Sequence, residues 1–84
     1  MNLIVPTAQV DFEQPISRGS VWEQKIIGPV GKTQIRRIEI IAPPTLSSPV
    51  GYRILRNDAH PHRKDKTATI RVADLRRKFE WVSA

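Results

Sequence analysis

With 84 residues, 39% of them hydrophobic, the chain makes one small domain and leaves little room for an elaborate enzyme cleft. It has no cysteine, which excludes disulfides, thiolate catalysis and a cysteine zinc site and fits a reducing compartment. The net charge is +6, so a polyanion is the natural partner: nucleic acid, an anionic membrane or an acidic protein surface.

No apolar run approaches the roughly 20 residues that cross a bilayer. The opening "MNLIVPTAQVDFEQP" has no basic segment, and Pro6 interrupts its apolar start, so it does not read as a signal peptide. These features lead us to expect a cytoplasmic protein without a membrane partner. Seven prolines and four glycines cut the chain into short pieces, none with a sustained helical period, and segments rich in β-branched residues recur. The expectation is an all-β fold.

In chain order, residues 1–16 are acidic with an apolar start and are expected to form an N-terminal arm or edge strand. "GSVWEQKIIG" reads as a strand between Gly19 and Gly28-Pro29, and "GPVGK" after it as a tight turn. In "TQIRRIEIIAPP" Ile38 and Ile40 alternate with Arg37 and Glu39, which puts the isoleucines in a core until Pro43-Pro44 stops the ladder. In "PVGYRILRN" Tyr52 and Ile54 share one face and Arg53 and Leu55 the other. "NDAHPHRKDKT" reads as a solvated hairpin loop, and "KTATIRV" as the next strand, with Ala68, Ile70 and Val72 pointing one way. In "ADLRRKFEWVSA", Asp74 can cap one short helical turn through Lys78, and "FEWV" closes the chain as a strand; the alternative is a genuine C-terminal helix of about two to three turns, marginal unless packed.

This succession resembles the small SH3-like barrel, five-stranded with one short helical turn before the last strand. The residues that carry the resemblance are "GSVWE", "IRRIEII", "GYRIL", "TIRV" and "ADLRRKFEWV". The framing G-x-V-W with L-x-x-x-F-x-W is similar to that of short SH3-like proteins carried by phages and other mobile elements. The resemblance covers about residues 17–84 and implies a fold and a type of protein, with no functional motif attached.

The excess charge is concentrated. Residues 53–78 hold nine bases and three acids, against five bases and four acids in residues 1–52. Arginine forks match phosphate oxygens, and each neutralised phosphate releases counterions. The candidate nucleic-acid contacts are therefore Arg53, Arg56, Arg63, Lys64, Lys66, Arg71, Arg76 and Arg77. Tyr52 and Trp81 are the aromatics able to serve as surface platforms for a base or a partner, although in so small a domain large side chains are needed inside.

His60 and His62, two apart, can face one ion with Asp58 or Asp65, but Arg63, Lys64 and Lys66 repel a cation there, so neither a metal nor another cofactor is expected. Phosphate-loop, dinucleotide, zincin and nucleophile-elbow motifs are absent, so no enzyme is expected. Three readings follow. The first is a nucleic-acid binder, DNA or RNA, working mainly through phosphates with weak base specificity. The second is a protein-interaction module, such as a phage-encoded inhibitor, docking on an acidic surface through Trp81 or Tyr52. The third is a homo-oligomer whose shared groove forms the site.

Overall fold

The computed structural model describes residues 14–84. Five antiparallel strands form one sheet in the order β4-β3-β2-β1-β5. They are β1 (Val21–Ile27), β2 (Thr33–Ala42), β3 (Val50–Asn57), β4 (Thr67–Ile70) and β5 (Glu80–Ser83), with one helix, α1 (Val72–Lys78), between β4 and β5. The all-β expectation is met in its coarse form, a mostly β chain. The sheet is not closed into a barrel: β4 pairs with β3 and β5 with β1, and the two edge strands do not pair with each other. No described helix is long and apolar enough to cross a membrane.

The alternation read from the sequence builds the core. Ile38 and Ile40 of β2, Val50, Tyr52 and Ile54 of β3 and Trp22 of β1 lie buried on one face, and Leu75 of α1 and Phe79 pack onto them. The register explains why these residues meet, with Trp22 opposite Ile38, Ile38 opposite Ile54 and Ile40 opposite Tyr52. Register shifts between Arg37 and Ile38 and between Ile40 and Ala42 mark bulges in the β2–β3 pairing. At the second, Gly51 lies so close to β2 that a Cβ built on it would come 3.0 Å from the Ala42 Cβ.

One buried polar pair anchors the start of the sheet. The Ser20 hydroxyl, fully buried, donates to the Ser17 carbonyl at 2.6 Å and accepts the Trp22 indole N–H at 3.1 Å. The core can therefore hold a tryptophan without an orphaned donor. The β1–β2 turn is tight, as read, but strained: Val30 has φ of 54°, a conformation that β-branched residues avoid.

The helix is longer than the single turn expected, seven residues, and starts at Arg71 with no side-chain cap. Asp74 sits inside its first turn, where it accepts from Arg77 Nη2 at 2.6 Å instead of capping the helix. The N-terminal arm falls almost wholly outside the described residues. Its end, however, touches the fold: the Gln14 carbonyl accepts Arg76 Nη1 at 3.0 Å, and Ile16 packs against the core.

Candidate functional site

The structure divides the candidate cations among three places. Arg53 and Arg56 stand on the sheet face opposite the core, where each meets a carboxylate. Arg53 is bonded to Glu39 across the strands, and Arg56 forms a fork on Asp58, Nε to Oδ1 at 2.8 Å and Nη2 to Oδ2 at 3.1 Å. Arg37 lies opposite Arg56 on the same face and is held by Glu23 at 2.6 Å, so the two facing arginines are each flanked by a carboxylate of their own. Asp58 also accepts the Ile35 N–H at 2.9 Å. The Arg56 guanidinium, with that N–H, holds the Asp58 carboxyl below the usual carboxylate range, and Asp58 in turn raises Arg56.

Arg76 and Arg77 belong to α1. Arg77 is paired with Asp74, while the Arg76 guanidinium lies over the Trp22 ring, 5.8 Å from its centroid, and binds the Gln14 carbonyl. The Arg76 side chain thus ties the helix to β1 and to Gln14, while the Arg77 pair lies within one exposed turn of α1. Arg71, at the start of the helix, has no ion-pair or hydrogen-bond partner for its side chain among the described residues. It lines a broad groove with residues 44–49 and Asp74, where positive and negative charge offset each other.

The third place is the β3–β4 loop. Arg63, Lys64 and Lys66 are exposed there, and their side chains have no ion-pair or hydrogen-bond partner among the described residues. The loop is more than a solvated hairpin connection. The His60 N–H is accepted by the Asn57 side chain at 2.9 Å, the residues 61–63 make a tight helical turn, and Asp65 N–H to Ile54 O and Ile54 N–H to Lys66 O extend the β3 ladder at 2.8 and 2.9 Å. Backbone bonds therefore brace the segment that carries the cations. Asp65, with φ of 71°, makes the reversal that returns the chain to β4.

Beside this loop a cleft of about 300 Å³ opens on the core side of the sheet. Arg63, Lys66 and His62 line it from the loop, Tyr52, Ile54 and Asn57 from β3, Thr67 and Ala68 from β4, and Arg36 from β2. None of these residues is a carboxylate. Arg36 is held ready: its Nη1 donates to Gln24 Oε1 at 3.1 Å and its guanidinium lies 5.5 Å from the Phe79 ring centroid. Neither partner is anionic, so its charge stays uncompensated.

Two expectations need correction. Tyr52 is no surface platform, because it is 8% exposed on the inward face of β3 between Val50 and Ile54. Trp81, by contrast, is 36% exposed on the edge strand β5 beside Val82. The basic residues also do not gather on a single face of β3 and β4: Arg53 alternates with the buried Tyr52 and Ile54, and the bulge at Leu55 resets the alternation so that Arg56 joins Arg53 on the outer face, away from the loop cations that line the cleft.

Arg36 and Asn57 were missed in the sequence. The signal was present in the parity of β2: Arg36 is two residues before Ile38, so a charge falls at an inward-facing position. The histidine rings meet edge to face, 5.8 Å between centroids, and Asp58 is engaged elsewhere. Among the described residues no three His, Asp or Glu side chains come together to hold a metal. A comparison with known protein families, with curated proteins and with solved structures finds no match for this chain.

Proposed function

We propose that this protein is a small, non-enzymatic module that binds nucleic acid through its phosphates, using the β3–β4 loop and the cleft beside it. The observation that carries this reading is the set of uncompensated cations. Arg63, Lys64 and Lys66 lack a carboxylate partner among the described residues, and Arg36 rests on a ring and an amide. Charge that is neutralised within the fold adds little to phosphate binding, whereas charge without a partner releases counterions when phosphate arrives. Contacts of this kind position a strand without reading its sequence, so base specificity is weak.

A small SH3-like barrel of phage or mobile-element type remains our reading of the architecture. It is supported by the strand order, by a short helix between the last two strands, by bulges that allow β2 and β3 to bend, and by the framing residues Trp22, Leu75, Phe79 and Trp81. A second reading, docking on an acidic protein, is favoured by one observation: Trp81 and Val82 are exposed on β5, whose outer edge pairs with no described strand. In that reading Trp81→Ala removes the partner; in the first it leaves phosphate binding as it was.

The test is direct binding to labelled duplex DNA, single-stranded DNA and RNA as salt is raised. The triple variant Arg63→Glu, Lys64→Glu, Lys66→Glu is expected to lose binding while keeping its circular dichroism spectrum. Unchanged binding by a folded triple variant would overturn the assignment.

A further inference from the structure

The cleft holds more than loose positive charge. Asn57, which lines the cleft, is only 6% exposed; its side-chain oxygen accepts the His60 N–H, and its amide nitrogen has no acceptor among the described residues. The Tyr52 hydroxyl, also in this lining, has no hydrogen-bond partner among them either. Donors left without a protein partner beside an open cleft are available to an acceptor that enters it. Around them stand Arg36, Arg63 and Lys66, with no carboxylate in the lining among the described residues.

We infer that this cleft is a pocket for a terminal phosphate, the phosphomonoester at the end of a nucleic-acid strand. This deepens the nucleic-acid reading above and rests on it. A phosphomonoester carries about −1.5 to −2 charges near neutral pH and three acceptor oxygens, which suits several cations together with neutral donors. An internal phosphodiester carries one charge and two free oxygens, so it offers this group of cations and donors less than a strand end does. Arg63 and Lys66 reach the group from the braced loop, and Arg36 and Asn57 from the strands.

The experiment compares one short single-stranded oligonucleotide carrying a 5′-phosphate, a 3′-phosphate or hydroxyls at both ends, by fluorescence anisotropy at constant salt. At least one phosphorylated form is expected to bind about tenfold tighter than the hydroxyl form, the scale of added charge-assisted bonds. Arg36→Gln should bring that ratio to about one, and Lys64→Gln, outside the cleft lining, should weaken all forms and keep the ratio. Because Arg36 is partly buried, Lys66→Gln on the exposed loop is the second variant and should lower the ratio in the same direction. The Asn57 side-chain amide resonance should move with the phosphorylated strand. Equal affinities for all three strands would overturn the pocket and leave the nucleic-acid reading standing. Failure of every strand to bind overturns both. If a nucleoside monophosphate moves the Asn57 resonance while no strand binds, the pocket takes a free phosphomonoester and the strand-end assignment is wrong.

Discussion

The two faces of the sheet carry similar charge to opposite effect. On the face away from the core, Arg37, Arg53 and Arg56 are each matched to Glu23, Glu39 or Asp58, so three arginines add almost nothing to the field outside. At the loop end, Arg63, Lys64 and Lys66 have no such match among the described residues, and Arg36 is supported by a ring and an amide. The lesson is that the position of a base in a chain measures its availability poorly. Pairing across strands decides which cations remain for a ligand, and pairing is a property of register.

The comparison can be broken most sharply by charge reversal. Arg63→Glu with Lys64→Glu and Lys66→Glu is expected to weaken nucleic-acid binding by roughly a hundredfold or more and to flatten the salt dependence by about three phosphates. Neutralising the other face with Arg53→Gln and Arg56→Gln should change affinity less than about threefold, in line with the small net effect of matched surface charge. Comparable losses from both sets, measured in the same salt series, would erase the distinction.

Both regions depend on the same core, and a second group of variants asks how much. Ile40→Ala or Leu75→Ala should cost about 2–5 kcal/mol and unfold much of a domain this small, read by denaturant titration. Ser20→Ala leaves the Trp22 indole N–H buried without its acceptor and should cost about 1–3 kcal/mol by the same titration. A loss as small as that of an exposed serine would show that the indole finds another partner.

The smallest effects concern the paired face and the turn beside it. Asp58 has a pKa lowered by the Arg56 guanidinium and the Ile35 N–H. A depressed carboxylate pKa stabilises the fold above its unfolded value of about 3.9 and loses that stabilisation as pH falls through the folded value. Thermal melts of Asp58→Asn should therefore fall below the parent at neutral pH and converge with it in acid. A constant difference across that range would deny the pair its role. In the β1–β2 turn, Val30→Asn should raise stability by about 0.5–1 kcal/mol, because asparagine accepts the left-handed backbone that strains valine.

The sequence by itself determined the strands and the core. Alternation placed Ile38, Ile40 and Ile54 inside, and prolines and glycines set the breaks, because side-chain direction in a strand is a local consequence of backbone geometry. The parity that buried those residues also pointed Arg36 inward, so that part of the cleft was legible. It identified the loop "HRKDK" as basic as well, and Arg63, Lys64 and Lys66 have no ion-pair partner among the described residues. Three decisions belonged to the tertiary structure alone. Register put Arg53 beside Glu39, and the return of the chain at Asp58 put that carboxylate under Arg56. The pairing of β5 with β1 at the edge of the sheet left Trp81 partly exposed, although it stands opposite the buried Trp22. The meeting of β2, β3, β4 and the loop then set Arg36, Asn57, Arg63 and Lys66 around one cleft. Each depends on residues distant in the chain, which no local pattern brings together, and cross-strand pairing does.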